Sequence, residues 1–154
     1  MKLEWMGPHR ELVGEYIKAS NRYARNYRTA YFEIEGVPLC SATVQVLEYI
    51  LENEEDRLPM SRLAERLGVT RGAFSKIAAQ LAGQGLVEKN HPEASEKEYV
   101  LTLTEKGRRV YDVYSEKVTQ KVFAPLFRAL EEMPQQSRED LLKIFKMINQ
   151  SEKE

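Results

Sequence analysis

The sequence of 154 residues contains one cysteine, and this scarcity limits what can hold the fold together. Cys40 cannot form an intramolecular disulfide, so stability must come from a hydrophobic core, which a chain of this length can bury. No apolar run reaches the roughly 18 residues typical of a transmembrane helix. The first residues, MKLEWMGPHRELV, have acids and a proline where a signal peptide has an apolar run. We therefore expect a soluble, cytoplasmic protein.

The usual motifs of catalysis and metal binding are also missing. The sequence has no CxxC, no HExxH, no phosphate-binding glycine loop and no nucleophile elbow, and His9 and His91 lie far apart. We expect no enzymatic activity, no cofactor and no bound metal. A redox-sensing thiol at Cys40 is one alternative, although a lone cysteine is more often a small buried residue.

The formal net charge is only -1, but the charges are unevenly distributed. Five acids and no base lie between Glu48 and Asp56. The segment from Pro59 to Leu86 has a local charge of +3, from Arg62, Arg66, Arg71 and Lys76 against Glu65. A positive segment in a nearly neutral chain indicates a surface for an anionic partner.

Apolar residues at steps of three and four predict long helices at both ends of the chain. The first extends from about Arg10 to Ile34 and ends at the turn EGVPLC. A long helix from Thr104 is expected to be disturbed at Pro125, and a last helix begins at Pro134 or Ser137.

The middle of the chain predicts a helix-turn-helix followed by a hairpin. Ser41 is expected to cap a helix that ends near Asn53. Two short helices follow at about residues 60–67 and 71–83, with Gly68 ending the first and Thr70 capping the second. The runs LVEKN and KEYVLTL, joined by HPEAS, predict two strands that form a wing. The fold class is therefore mainly α with a small β-hairpin wing.

The helix at 71–83 has an outer face suited to a DNA major groove, because that face carries one long cation and otherwise small or hydrogen-bonding residues. Gly72 weakens a helix, a cost best explained by close approach of the backbone to a partner. We expect the bases to be nearest Arg71, Ser75, Lys76 and Gln80. We expect the phosphates to be nearest Arg62, Arg66, Thr70 and Lys97. A solvated helix face is the alternative reading of the same pattern.

The segment SRLAERLGVTRGAFSKIAAQLAGQGLVEKN, followed downstream by LTLTEKG, resembles the MarR family of winged helix-turn-helix transcription regulators. The resemblance covers nearly the whole chain. It implies a single domain over residues 1–154, with a DNA-binding lobe at about 41–103 and dimerisation helices at about 10–34 and 104–150. It also implies a homodimer on a palindromic DNA operator, often controlled by a small phenolic or other amphipathic ligand.

The wing departs from the family pattern, in which an aspartate and arginines lie near the tip. The matching stretch HPEASEKE offers only His91 and Lys97 among Glu93, Glu96 and Glu98. We therefore expect weak DNA contact by the wing. This departure also leaves open a winged-helix protein-interaction module that does not bind DNA.

Helix length independently favours a dimer. A helix of about 25 residues is about 37 Å long, whereas a globule of this size has a radius of gyration of roughly 15 Å. The apolar stripes of such helices would be exposed unless another chain covered them.

Four aromatic residues near the first helix are candidates for a ligand crevice or for plain core. They are Tyr23, Tyr27, Tyr31 and Phe32.

Overall fold

The computed structural model describes residues 4–90 and 99–150 and forms two compact units, Met1–Val113 and Tyr114–Glu154. The first unit begins with a short 3-10 segment, Glu4–His9. Its helices are α1 (Arg10–Asn26), α2 (Ser41–Glu52), α3 (Met60–Leu67) and α4 (Arg71–Gly83), and α5 (Glu105–Val118) begins in it. Its strands are β1 (Phe32–Ile34), β2 (Val37–Leu39), β3 (Val87–Asn90) and β4 (Val100–Leu103). The mainly α fold with a hairpin wing is confirmed.

The predicted first helix is too long, because α1 ends at Asn26 rather than at Ile34. The chain from Phe32 to Leu39 forms an antiparallel hairpin in which Ile34 pairs with Val37. Glu35 and Gly36 turn the chain, with φ of 51° and 75°. Two residues of positive φ make the tight turn that suits the twist of a hairpin. The apolar residues after Asn26 thus follow a period of two as well as the helical period.

The start of α2 also differs from the prediction. Cys40, not Ser41, is the capping residue, with an extended backbone. Thr43 Oγ1 accepts a hydrogen bond from the Cys40 amide at 3.1 Å and donates one to the Cys40 carbonyl at 3.0 Å. Cys40 Sγ lies 3.6 Å from the same hydroxyl. The thiol is half-buried and belongs to a helix cap.

The core of the first unit is formed around α2, which packs against α3, α4 and β4. Its largest fully buried side chains are Leu39, Val46, Leu47, Ile50, Phe74, Leu81, Leu86, Leu101 and Val110. Burying a side chain of this kind contributes about 1.5–3 kcal/mol. The helix-turn-helix is therefore one wall of a common core.

The segment just before β3 is fixed to the start of α5 by a short network of hydrogen bonds around Thr104, where the long helix was expected to begin. The Thr104 hydroxyl donates to the Gly85 carbonyl at 2.7 Å and accepts from the Gly107 amide at 2.9 Å. The Thr104 amide donates to the Leu86 carbonyl at 3.1 Å. Glu54 adds a second attachment, since its carboxylate accepts from the Leu103 amide at 3.1 Å and pairs with Arg108. The base of the wing is thereby held in place.

The second unit contains the end of α5, a π-helical turn (Thr119–Phe123), α6 (Ala124–Glu132) and α7 (Gln135–Gln150). The irregularity predicted at Pro125 is present as this π turn, and Pro134 precedes the last helix as predicted. None of the residues of α6 and α7 is buried. The exposed large apolar side chains of this unit are Val122, Phe123, Leu126, Phe127, Leu142, Ile144, Phe145 and Met147.

The helix α1 has a similar surface. It contains no buried residue, and Leu12, Tyr16, Ile17 and Tyr23 are exposed along it. Within residues 4–90 and 99–150, no helix combines the length and the apolar character needed to cross a membrane.

Candidate nucleic-acid interface

The turn between α3 and α4 has the geometry that the sequence predicts. Gly68 adopts a left-handed conformation with φ of 75°, and the next amide, that of Val69, donates to the Ala64 carbonyl at 3.0 Å. The Thr70 hydroxyl accepts from the Ala73 amide at 3.2 Å and so caps α4. The amides of Arg71 and Gly72 remain at the exposed N-terminus of α4, where the helix dipole favours an anion.

The two faces of α4 divide as predicted, with one exception. Phe74, Ile77, Ala78 and Leu81 are buried. Arg71, Gly72, Lys76, Ala79 and Gln80 are exposed, whereas Ser75 is half-buried. The outer face is therefore available to a partner over about three turns of helix.

The four basic residues of the positive segment differ in their neighbours. Arg62 pairs with Glu65 at 2.7 Å, and Arg66 bonds to Asn53 Oδ1 and lies 4.0 Å from Asp56. The exposed ion pairs with Glu65 and Asp56 are each worth about 0–1 kcal/mol, so a stronger partner can displace them.

Arg71 and Lys76, in contrast, form no ion pair with any residue in 4–90 or 99–150, and both are exposed. Acids of the neighbouring segment thus partly neutralise α3 but not α4. The uncompensated positive charge of the helix-turn-helix is concentrated on α4.

Gly72 is not required by the fold. A Cβ atom built there meets nothing within 4 Å, and its φ is not in the left-handed region. The same holds for Gly83 at the other end of α4. The space in front of Gly72 is open surface, so any reason for a glycine there lies outside this chain.

The wing is formed by β3 and β4, which pair in antiparallel register from Val87 with Leu103 to Asn90 with Val100. Lys97 and His91, the candidate wing contacts, lie outside the described residues. Lys89 is an exposed cation on β3 that the sequence analysis did not single out. Along β3 only Val87 is buried, and the polar end of LVEKN is the signal that would have found Lys89.

A cleft of about 690 Å³ lies beside the helix-turn-helix, and we call it the tyrosine cleft. It is lined by Tyr23, Ala24, Tyr27, Gln45, Glu48, Tyr49, Leu67, Gly68 and Val69. The rings of Tyr23 and Tyr27 are 5.6 Å apart and tilted by 49°. Tyr31 and Phe32 are not among its lining residues; their rings pack edge to face at 5.1 Å at the start of β1. The structure therefore brings only two of the four candidate aromatics to a cleft.

The polar groups of the tyrosine cleft are on α1 and α2. Gln45 Nε2 donates to the Tyr23 hydroxyl, and the Tyr111 hydroxyl donates to Glu48 Oε1 at 3.3 Å. Burial raises the pKa of Glu48 above its ordinary value, although the bond from Tyr111 acts in the opposite direction. Burial and the nearby Glu48 carboxylate raise the pKa of Tyr111 to about 12. Burial also raises the pKa of Tyr23 and of Tyr27.

Gln45, Glu48 and Tyr49 were not predicted as site residues. They occur at steps of three and four on α2, on the side away from its apolar stripe, and all three are half-buried. This second stripe is the local signal for them. The proximity of this stripe to α1 and to the α3–α4 turn depends on tertiary packing, and no local sequence feature predicts it.

Comparisons with known proteins agree with this architecture. Residues 41–97 match the sequence model that describes the MarR family. No curated protein sequence matches the chain significantly. Several solved structures do match over nearly the full length.

Three of these structures illustrate the match. The chain is similar to a MarR/EmrR family transcriptional regulator from Acinetobacter sp. ADP1, at 18% identity and a TM-score of 0.67, covering 92% of this chain and 94% of that one. It is similar to the transcriptional repressor CouR bound to a 23-mer DNA duplex, at 25% identity and a TM-score of 0.61, covering 93% and 96%. It is also similar to the PcaV regulator from Streptomyces coelicolor in complex with its natural ligand, at 16% identity and a TM-score of 0.58, covering 93% of each chain. Residues 41–97 of the chain thus match the MarR family, whose members are transcription regulators and not enzymes, and the chain shares its fold with these structures.

Proposed function

We propose that the protein is a homodimeric, sequence-specific DNA-binding regulator of the cytoplasm that acts as a ligand-responsive repressor. The observation that carries the proposal is the largely exposed outer face of α4, where Arg71 and Lys76 form no ion pair with any described residue. In this arrangement α4 enters the major groove, with Ser75 and Gln80 also nearest the bases. Thr70 and the first amides of α4 contact phosphate.

Arg62 and Arg66 on α3 contact the phosphates beside the groove after exchanging their exposed acidic partners for DNA. A phosphate offers a charge-assisted, bidentate partner, which is stronger than an exposed carboxylate pair. Lys97 completes the proposed set, with a small contribution because of the acids around it. CouR, which shares the fold at 25% identity, was solved on a DNA duplex.

Dimerisation is supported by apolar surface that neither unit covers by itself. The helices α6 and α7 have no buried residue and expose large side chains, and α1 does the same. Elements of a soluble domain normally bury such a stripe against another element. A two-fold dimer would cover it and would place two copies of α4 on a palindromic operator.

The ligand-responsive part of the proposal is supported by the tyrosine cleft. Its volume of about 690 Å³ lies in the range typical of small-molecule sites. One wall is the α3–α4 turn itself, so an occupant would contact the segment that orients α4. A small amphipathic or phenolic molecule is the class that we propose, and Tyr23 and Tyr27 are its aromatic contacts.

A salt titration tests the proposed DNA binding. We expect binding to a duplex from upstream of the protein's own gene, with two chains per duplex, measured by fluorescence anisotropy and light scattering. The logarithm of the affinity should fall linearly with the logarithm of salt concentration, and each phosphate contact should contribute about 0.9 to the slope. Affinity that does not depend on salt, or no binding to any upstream fragment, would instead support a protein-interaction module.

Gly72→Ala is expected to separate stability from DNA binding. The new Cβ enters open space, so the alanine should stabilise α4 by up to about 1 kcal/mol and raise the melting temperature by roughly 2–4 °C. DNA affinity should fall, since the added methyl group lies where the backbone approaches the duplex.

The matched control for this change is Gly83→Ala, at the opposite end of the same helix and also facing open space. It should leave the affinity unchanged, as measured by anisotropy, while calorimetry follows the melting temperature of both variants. Equal affinities for parent and Gly72→Ala would show that Gly72 does not face DNA.

A further inference from the structure

The charge of the tyrosine cleft restricts the kind of molecule that it can hold. Among the described residues that line it, Glu48 is the one with a carboxyl group, none is basic, and the other polar side chains are tyrosine hydroxyls and the Gln45 amide. Glu52, one turn further along α2, adds a second negative charge that acts on Glu48, whereas Arg28 acts electrostatically on Tyr27 but is not in the lining. An anionic ligand would meet the Glu48 carboxylate without a cation in the lining to balance it.

The Glu48 carboxylate is poorly compensated in the structure. It is half-buried, forms no ion pair with any described residue and accepts a long hydrogen bond of 3.3 Å from Tyr111. A carboxylate withdrawn from water in this way is stabilised by a cation placed against it. Tyr23, Tyr27 and Tyr49 line the same cleft, and the electron-rich face of a tyrosine ring also attracts cations.

We propose that the tyrosine cleft binds an amphipathic organic cation, with its ammonium group at Glu48 and its apolar body against the tyrosine rings. The proposal narrows the ligand class of the proposed function from amphipathic or phenolic molecules to amines and quaternary ammonium compounds. The regulatory part of the proposal rests on that function, but the binding itself does not.

The position of the cleft gives such a ligand a route to α4. Leu67, Gly68 and Val69 line the cleft, and they form the turn between α3 and α4. If the turn has two positions and a ligand binds one of them more tightly, the ligand increases the population of that position. The size of the shift is set by the difference in affinity. The cation should therefore change DNA affinity as well as bind.

Titration calorimetry on the full chain without DNA tests the binding. Three probes share one aromatic ring and differ in charge: benzyltrimethylammonium, benzyl alcohol and benzoate. We expect benzyltrimethylammonium to bind at least about tenfold more tightly than benzyl alcohol, and benzoate to bind most weakly, since only the first pairs with Glu48. Benzoate binding more tightly than the cation would overturn the proposal in favour of an anionic phenolic or carboxylic ligand.

Three variants assign the effect to Glu48. Glu48→Gln keeps an oxygen for the Tyr111 hydroxyl but removes the charge, and it should remove most of the preference for benzyltrimethylammonium over benzyl alcohol. Glu52→Gln removes the same charge one turn away, outside the lining, and should retain most of the preference. Gln45→Lys places a cation in the cleft and should reverse the order of benzyltrimethylammonium and benzoate. An unchanged preference in both Glu48→Gln and Gln45→Lys, with melting curves showing folded protein, would contradict the proposal.

A second measurement separates this proposal from the proposed function. Anisotropy of labelled upstream DNA is followed while benzyltrimethylammonium is added to parent and Glu48→Gln protein. Cation binding without any DNA binding would contradict the regulator and leave the cleft assignment intact. DNA binding without a preference for the cation would contradict the cleft assignment and leave the regulator intact.

Discussion

Replacing both Arg71 and Lys76 with alanine is expected to reduce DNA affinity by about a thousandfold. Each side chain in direct contact with DNA is worth about 1–3 kcal/mol, and a dimer loses two copies of each. Arg71 and Lys76 are the cations of the helix-turn-helix without an internal ion pair among the described residues, so other basic groups do not duplicate their role. Fluorescence anisotropy at fixed salt measures the loss.

The double variant Lys18→Ala with Lys143→Ala is its matched control. It removes the same charge per chain, and each lysine lies in an exposed pair within its own helix, with Glu15 and Asp140. Its affinity should remain within about threefold of the parent, because neither lysine belongs to the helix-turn-helix and exposed charges away from a contact are largely screened at physiological salt. If both double variants lose affinity equally, general charge and not α4 attracts the DNA.

The salt dependence of the same variants distinguishes phosphate contacts from base contacts. Loss of a phosphate contact lowers the slope by about 0.9, whereas loss of a base contact mainly lowers the preference for the cognate sequence. We expect Lys76→Ala to reduce discrimination between cognate and scrambled duplexes. An affinity loss with unchanged discrimination would place Lys76 on the backbone.

The helix-turn-helix could be predicted from the sequence to the residue because its signals are local. A glycine with positive φ ends α3, a threonine hydroxyl caps α4, and the apolar steps from Phe74 to Leu81 face the core. Each of these features depends on a few neighbouring residues. The bounds of both helices follow from them without any tertiary contact.

The hairpin after α1 was missed because two periods overlap in the same residues. Tyr27, Tyr31 and Ile34 continue the helical steps of α1. The pairs Phe32 with Ile34 and Val37 with Leu39 are instead spaced by two, as strand residues are. The turn at Glu35 and Gly36 decides between them, and a glutamate in the left-handed region is not a strong signal. The shortened α1 is 17 residues, or about 25 Å, so its exposed apolar stripe, rather than its length, supports a dimer.

The tyrosine cleft was only half predicted for a different reason. Tyr23 lies in the last turn of α1 and Tyr27 is the C-cap of that helix, so the two could be grouped from their spacing. Glu48 reaches the same cleft only because α2 packs beside the helix-turn-helix, and in the sequence it belongs to a run of acids. The run does not act as a unit, since Glu48 bonds to Tyr111, Glu54 to Arg108 and the Leu103 amide, and Asp56 lies near Arg66.

The close approach of Gly107 to the Leu86 backbone is the clearest example of a contact that could not be predicted from the sequence. The motif LTLTEKG contains the glycine, but nothing near it in the sequence calls for one. Its φ is not in the left-handed region. The reason is a contact with Leu86, 21 positions earlier, where β3 begins.

Gly107→Ala is expected to destabilise the protein by about 3 kcal/mol, or by roughly 6–12 °C in melting temperature. A Cβ at this position would lie 2.1 Å from the Leu86 carbonyl oxygen and 3.0 Å from its carbon, and both are backbone atoms that cannot rotate away. Moving them would strain the bond from the Thr104 amide to the same Leu86 oxygen. The better helix propensity of alanine, about 1 kcal/mol, is too small to offset the clash.

Denaturant unfolding of parent, Gly107→Ala and Gly72→Ala protein measures this effect with an internal control. Both substitutions add one methyl group to a helix, but only that at Gly107 meets backbone atoms. Gly72→Ala should be as stable as the parent or more stable, so the two changes should have opposite signs. A Gly107→Ala protein within about 1 kcal/mol of the parent would show that α5 can move away from β3. The wing would then be held less firmly than the bonds of Thr104 and Glu54 indicate.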